Sequence, residues 1–152
     1  MSTASGFHAT TTVGRFLLAF EQNNASGDIP ALIAQFADVF MAAGPNGAQP
    51  VSSADFARAL PKRTQLFQSL GCQSTKLVSC VETLLDARFV MAETRWKLTF
   101  VREGQAPKEV RADSLYILDM GSLDAEAGLK IVFYLAHQDL LATVRNQGIV
   151  PG

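Results

Sequence analysis

The stretch FQSLGCQSTKLVSC, residues 67–80, contains the point at which the character of the chain changes. Before Gly71 the apolar residues recur at intervals of three and four, as they do on one face of a helix. After Gly71 the enriched residues are valine, threonine, leucine, phenylalanine and tyrosine, which favour extended strands. A helical part followed by a strand-rich part predicts an α+β fold rather than an alternating one.

Two helices are predicted near the N-terminus. The first begins among Thr10–Thr12, carries one apolar stripe and ends at Asn23–Gly27. The second begins at Asp28, a residue that caps helices well, with Pro30 in the first turn, where a missing N–H costs nothing. Its apolar spacing continues to Phe36, so the second helix is expected to end just after that residue.

A third helix is predicted between a turn and Gly71. The turn is the cluster Gly44–Gly47, and the helix begins at Ser52 or Ser53. Pro61 lies inside this helix and predicts a kink or a break into two helices, because proline removes one backbone hydrogen bond.

Four long strands are predicted in the second half of the chain. Short connections favour sequential antiparallel pairing, and strands of this length twist and curl. The predicted ranges are 76–85, 88–102, 108–119 and 129–142. The expected architecture is a set of N-terminal helices packed in a strongly curved antiparallel sheet of four to six strands.

Composition excludes several classes of protein. Of 152 residues, 48% are hydrophobic and 18% are charged, with a net charge of −1, which argues against disorder and against a basic surface for nucleic acid. The N-terminus lacks the pattern of a secretory signal, and no apolar run is long enough to span a membrane. Cys72 and Cys80 have no metal-ligand spacing and are expected to be reduced thiols in a cytoplasmic protein. We expect one domain over residues 10–145, with tails at 1–9 and 146–152.

Several short motifs together resemble a known superfamily. They are Gly27-Asp28 opening the second helix, Phe36-Ala37-Asp38 closing it, Trp96 within a strand, and the last strand, Lys130–Asp139, in which an isoleucine is followed eight residues later by an aspartate. This order resembles the nuclear transport factor 2-like superfamily, whose α+β cone includes ketosteroid isomerase, scytalone dehydratase and the SnoaL-like polyketide cyclases. The resemblance implies a cystatin-like, cone-shaped sheet, and members of the superfamily include enzymes, carriers and assembly domains.

Whether this chain has the catalytic residues of ketosteroid isomerase can be tested by aligning the two sequences on Phe36–Asp38. That enzyme uses a loop aspartate as its base, together with a helix tyrosine and a strand aspartate that donate hydrogen bonds to an oxyanion. The corresponding positions fall near Gly44, Phe16 and Ser114, and none of them has the required side chain. The sequence therefore argues against ketosteroid isomerase activity.

The last predicted strand provides the candidate catalytic residues. Alternation along a strand places Ile131, Phe133, Leu135, His137 and Asp139 on one face, and the resemblance implies that this face looks into the cone. His137 and Asp139 would lie ~6–7 Å apart along the strand and could reach one substrate atom. Such a pair suits a cyclase, isomerase or dehydratase, with Asp139 as base and His137 as acid or as an orienting residue. The alternatives are that the aspartate caps backbone N–H groups or pairs with an arginine, and that the histidine is a hydrogen-bonded core residue.

Further candidates come from the neighbouring strands. If Trp96 points inward, so does Phe100, and Tyr116 and Ser114 would share the inner face of the next strand. Tyr116 is the candidate hydrogen-bond donor, and the remaining residues would shape an apolar pocket, with Phe40 closing its mouth by analogy with the superfamily. All of them could instead be ordinary core residues.

These residues predict a small, largely apolar organic molecule as ligand, with no cofactor and no metal ion. The outer face of the sheet is expected to be polar and to form a homodimer, since that face commonly does so in the superfamily. The basic residues placed on it are Arg95, Lys97, Arg102, Lys108 and Arg111. The alternative function is a non-catalytic homodimeric interaction or assembly module with a packed interior.

Overall fold

The computed structural model of the protein describes residues 7–121 and 128–149. Within these ranges the chain forms four helices and six strands. In chain order they are α1 Thr12–Ser26, α2 Ile29–Ala34, β1 Phe36–Gly44, β2 Gly47–Ser52, α3 Ser53–Ser69, β3 Cys72–Leu84, β4 Phe89–Phe100, β5 Lys108–Asp119, β6 Lys130–Ala136 and α4 Leu140–Asn146. No helix in this part of the chain is both long and apolar enough to cross a bilayer.

The six strands form one sheet in the order β2-β1-β6-β5-β4-β3. Neighbouring strands are antiparallel except β1 and β6, which are parallel. The predicted α+β architecture with a curled sheet is confirmed, and the parallel pair is the one departure from a purely antiparallel sheet. Helices α1 and α3 pack on the concave side, against β3 and against β1, β2 and β3 respectively.

The three predicted helix starts are confirmed by their caps. Thr11, Asp28 and Ser52 each accept a backbone N–H from the residue three positions later, which satisfies one of the free donors of a first turn. The predicted break at Pro61 is wrong, since α3 is a single helix through that residue. The carbonyl that loses its donor is that of Ala57, a residue that is not buried, so water can bond it.

The segment after α2 was predicted as the end of a helix, but it is strand β1. Phe36 pairs with Ile131 of β6, and the N–H of Ile131 donates to the carbonyl of Gln35 at 2.8 Å. This long-range pairing overrides the helical spacing that includes Phe36. The predicted turn at Gly44–Gly47 is present, but it joins β1 to β2 as a hairpin, with Gly44 opposite Gly47.

The last predicted strand, 129–142, is too long. Strand β6 ends at Ala136, and α4 follows after Asp139. The chain beyond 145 also packs, because Val144 and Ile149 are at most 1% exposed and belong to the hydrophobic core. The domain therefore extends past the predicted boundary and includes part of the segment expected to be a tail.

A β-bulge in β6 decides which side chains of that strand face the helices. Leu118 of β5 pairs with Ile131, whereas Ile117 pairs with Phe133, so Val132 is an extra residue without a partner on β5. An extra residue reverses the alternation beyond it. Ile131 is therefore on the concave side together with Tyr134, while Phe133 is on the convex side. The prediction that Phe133 faces inward is wrong for this reason.

The convex face carries most of the predicted basic residues. Arg95 and Arg111 form ion pairs with Asp113, and Lys97 lies 3.4 Å from Glu109. Lys108 is an exception, since it lies opposite the buried Phe100, and its ammonium group donates to the carbonyl of Gln147 at 2.9 Å. The expected polar outer face is therefore present at this end of the sheet.

Candidate functional site

A row of paired residues crosses the concave side of the sheet. Ala92 of β4 pairs with Tyr116 of β5, which pairs with Tyr134 of β6, which pairs with Ala42 of β1 and then Gln49 of β2. Directly paired residues point to the same face, so the two tyrosines lie side by side in the cone. Their rings stack with centroids 5.2 Å apart. We refer to Tyr116 and Tyr134 as the tyrosine pair.

Beside the tyrosine pair lies a buried polar network. The indole N–H of Trp96 donates to Oγ1 of Thr94 at 2.9 Å, and this oxygen lies 2.8 Å from Oγ of Ser114. Oγ1 of Thr94 also donates to the carbonyl of Ser114 at 3.0 Å. The network satisfies polar groups that would be costly to bury alone, and it fixes the orientation of Trp96.

The environment of the tyrosine pair keeps both hydroxyls neutral. Burial raises the pKa of Tyr116, and the neighbouring Tyr134 raises it further, while hydrogen bonds with Ser114 and Trp96 oppose the rise. Burial also raises the pKa of Tyr134, and the positive charge of Arg63 opposes it. Both phenols are therefore hydrogen-bond donors over the physiological pH range.

Aromatic side chains fill the base of the cone around this polar centre. Phe20 of α1 makes edge contacts with Phe36, Trp96 and Tyr116, with centroids 5.8–6.1 Å apart. Phe36 also contacts Phe40 at 4.6 Å. Such contacts stabilise a core beyond simple area burial. Trp96 and Tyr116 thus face inward as predicted, in a well-packed interior.

Two of the predicted pocket residues are buried among other aromatic side chains. Phe40 is 4% exposed and packs between Phe36 and Phe56, so it does not stand at a pocket mouth. Phe100 is 1% exposed and packs against Phe67 of α3.

An open cleft lies at the end of the same sheet, beside the β1–β2 hairpin. Its volume is about 490 Å³, within the range of ~300–1,000 Å³ that small-molecule sites occupy. The walls are the hairpin residues 42–49 and Asp139. Ala42 and Gln49 belong to the row that contains the tyrosine pair, and adjacent strands are ~4.8 Å apart. Tyr134 therefore lies one strand away from the cleft wall.

The predicted pair His137 and Asp139 does not share a strand face. His137 is exposed and lies in the bend after β6, where its backbone N–H donates to the backbone carbonyl of Asp113. Asp139 is the N-cap of α4, and its Oδ1 accepts the N–H of Ala142 at 3.1 Å. The expected convergence failed because β6 ends before either residue. Asp139 nevertheless borders the cleft, and the role assigned to it in catalysis stays a prediction.

Sequence reasoning missed Tyr134 and Arg63. Strict alternation from Ile131 places Tyr134 on the outer face, and only the bulge returns it to the inner one. Arg63 occupies the inward stripe of α3, where its guanidinium lies 4.8 Å from the ring centroid of Phe67. A charged residue in an apolar helical stripe is a signal that the sequence did contain.

The cysteines are ordinary half-buried thiols. Burial raises the pKa of Cys72, and it raises the pKa of Cys80 to about 11, so neither is an activated nucleophile. Within residues 7–121 and 128–149, the structure brings together no group of three or more histidine, cysteine, aspartate or glutamate side chains that could hold a metal ion.

Comparison by sequence with protein-family models and with curated proteins finds no match. Comparison with solved structures finds many similar folds. One is an NTF2-like protein with a cystatin-like fold from Novosphingobium aromaticivorans, at 13% identity and a TM-score of 0.66, covering 90% of this chain and 84% of that one. Another is Aln2 from a Streptomyces species, at 14% identity and a TM-score of 0.68, covering 89% and 93% respectively. ActVI-ORFA from Streptomyces coelicolor has 16% identity and a TM-score of 0.67, covering 85% and 96%. The chain has the fold of the nuclear transport factor 2-like proteins.

Proposed function

We propose that the protein binds a small, largely apolar organic molecule on the concave side of the sheet, with access through the cleft beside the hairpin. The observation that carries this proposal is the position of the cleft, whose wall at Ala42 is one strand from Tyr134. Small-molecule sites combine apolar walls with a few convergent polar groups. The tyrosine pair supplies two neutral donors in an aromatic surrounding.

Small side chains leave room for a ligand at the end of the cone beside the cleft. The row next to the tyrosine pair contains Ser114 of β5, then Ala136 of β6, and ends at Gly44 and Gly47 of the hairpin. Gly44 lies beside Ala136, because a Cβ built on it would be 3.7 Å from the carbonyl oxygen of that residue. This row fills little of the concave side, in contrast to the phenylalanines at the base of the cone.

For catalysis, we propose a cofactor-independent cyclase, isomerase or dehydratase reaction in which Asp139 is the base. Its carboxylate borders the cleft. In the described contacts, only one of its two oxygens, Oδ1, takes part in capping α4. The tyrosine pair would donate hydrogen bonds to an oxygen that gains negative charge as a carbon-bound proton leaves. This assignment replaces His137 as the acid, since that side chain is exposed beyond the end of β6.

Ligand binding can be followed through Trp96, which is the only tryptophan in the chain and belongs to the polar network. Titration with polycyclic aromatic ketones is expected to change its fluorescence. Ala42→Leu fills the cleft wall and is expected to weaken binding about tenfold or more. The matched control is Met41→Leu on the convex side of the same strand, which should bind as the wild type does. Equal binding by both variants would place the ligand elsewhere.

A second proposal concerns the convex face, which we propose forms a homodimer. Two adjacent rows of apolar residues cross this face and define an apolar band, in which Val81 is 59% and Met41 is 37% exposed. The band consists of Met41, Ala43, Val81, Met91, Leu115, Ile117, Phe133 and Leu135. Monomers rarely expose a contiguous apolar surface of this kind.

Charge favours a second copy of this chain as the partner. Glu93 interrupts the apolar band, and Arg95 stands two residues away on the same face of β4. A two-fold axis between them would place opposite charges against each other, as an interface between identical surfaces requires. Sedimentation velocity is expected to show a dimer that Leu115→Arg dissociates. Thr99→Arg, at the polar end of the same face, should leave the dimer intact, and a monomeric wild type would contradict the proposal.

A further inference from the structure

Helix α3 presents one stripe of side chains to the cone. Phe56, Leu60, Arg63 and Phe67 follow one another at intervals of four, three and four, so they lie on one face of the helix. Phe56 contacts Phe36 and Phe40 of β1, and Phe67 contacts Phe100 of β4. Arg63 is the one charged member of a stripe whose other members pack against the interior.

The guanidinium of Arg63 rests on an aromatic ring. Its central carbon lies 4.8 Å from the ring centroid of Phe67, within the ~6 Å of a cation–π contact. This contact orients the charged group at the edge of the apolar interior, while the residue stays exposed. A stacked guanidinium retains the N–H donors around its edge for a planar anion.

Four other arginines of the chain already have carboxylate partners. Arg58 pairs with Asp55 within α3, Arg88 pairs with Asp119, and both Arg95 and Arg111 pair with Asp113. No such ion pair involves Arg63 among the residues that the structure describes. Arg63 is therefore a cation that stacks on an aromatic ring and has no carboxylate partner among the described residues.

The charge of Arg63 acts inside the cone. It lowers the pKa of both Tyr116 and Tyr134, against the larger effect of burial, so its field reaches the tyrosine pair. No carboxylate acts on either tyrosine in this way within the described ranges. The carboxylate of Asp139 lies on the wall of the cleft.

We infer that the molecule bound in the cone is a ring-bearing carboxylate, whose anionic group pairs with Arg63 and whose apolar body lies against the aromatic side chains. This inference rests on the proposed ligand-binding function and adds the class of ligand. Bidentate pairing of a guanidinium with a carboxylate is stronger and more directional than a neutral hydrogen bond. Repulsion from Asp139 disfavours the reverse orientation, with the anionic group in the cleft.

The test uses probe pairs that differ only in charge: benzoate with benzamide, 2-naphthoate with 2-naphthamide, and 2-anthroate with 2-anthramide. Calorimetric titration of the full chain is expected to show about tenfold tighter binding of the carboxylate in the best-fitting pair. Arg63→Gln should remove this preference and leave binding of the amide unchanged. Arg63→Lys should retain part of it. Arg58→Gln, a change of the same charge on the same helix, should bind as the wild type does.

The outcomes separate this inference from the proposal beneath it. If the amides bind, and Ala42→Leu weakens them, but carboxylates show no advantage, the cone binds a ligand and the role of Arg63 is wrong. The role of Arg63 is also wrong if Arg63→Gln still binds carboxylates more tightly than amides. It is wrong as well if Arg58→Gln loses this preference to the same extent, because net charge alone would then explain it. If no member of any pair binds the wild-type chain, both the inference and the proposed ligand site are overturned.

Discussion

Tyr116 and Tyr134 stack across β5 and β6, with ring centroids 5.2 Å apart and ring planes inclined by 30°. They are the only two tyrosines in the chain, and both lie on the concave side of the sheet. Tyr116 is 4% exposed, and Tyr134 is partly buried. This relationship brings two phenols to the centre of the cone and makes their titration a direct probe of it.

The folded protein is expected to show less tyrosine ionisation than the denatured chain at pH ~10, where free tyrosine ionises. Burial raises the pKa of both tyrosines, so the folded state keeps protons that the unfolded state releases. Their contribution to stability is therefore complete below pH ~10 and is lost as pH rises above it. Absorbance of the phenolate measures this, with the denatured chain as control. A folded chain that titrates like the denatured one would show that the pair is open to water.

Thr94→Val is expected to destabilise the protein by about 1–3 kcal/mol. Valine has nearly the shape of threonine but leaves the indole N–H of Trp96 without the acceptor that it has at 2.9 Å. Denaturant unfolding measures the loss. Thr99→Val, on the convex side of the same strand, provides the control and should change stability little. Equal effects at both positions would mean that the buried network adds no stability.

Asp139→Ala is expected to cost about 1 kcal/mol, the usual value of an N-cap, because Oδ1 accepts the N–H of Ala142. Asn caps as well as Asp, so Asp139→Asn should retain stability. If Asp139 is also the base proposed above, the Asn variant should bind ligand and lose turnover, since an amide cannot accept a proton at neutral pH. Thermal unfolding and a turnover assay on the two variants separate the roles. An Asn variant with full turnover would leave Asp139 as a cap only.

Gly71→Ala is expected to be more destabilising than Gly27→Ala, although both glycines have positive φ. A Cβ at Gly71 would lie 2.6 Å from the carbonyl oxygen of Val101, whereas nothing lies within 4 Å of one at Gly27. The Gly27 variant should cost about 1 kcal/mol for its left-handed backbone alone. The Gly71 variant adds a steric clash with rigid backbone and should cost about 2 kcal/mol or more. Equal losses in denaturant unfolding would show that the junction of α3 and β3 relaxes freely.

Local signals were sufficient for much of the fold. Residue type and spacing predict the cap at Asp28, helix starts within Thr10–Thr12 and at Ser52 or Ser53, and the strand at 108–119, because helix starts and alternating strands depend on neighbouring residues. Alternation likewise predicts which residues share a face with Trp96 and with Tyr116, and both of these residues are buried. These features need no knowledge of which strands pair.

Long-range pairing decided the rest. Phe36 belongs to β1 because β6 bonds alongside it, although its spacing continues the helix before it. Strand β6 likewise ends at Ala136, and Asp139 then caps a new helix, α4. Alternation of apolar residues alone predicts that the strand continues through this segment.

The sequence by itself determined the α+β class and the approximate positions of α1, α3, β3, β4 and β5. The tertiary structure decided which residues of β6 reach the cone. Val132 has no partner on β5, so the residues after it change faces, replacing Phe133 with Tyr134 inside. A bulge depends on the register between two paired strands. The pattern of apolar and polar residues along one strand is the same whether or not a bulge is present.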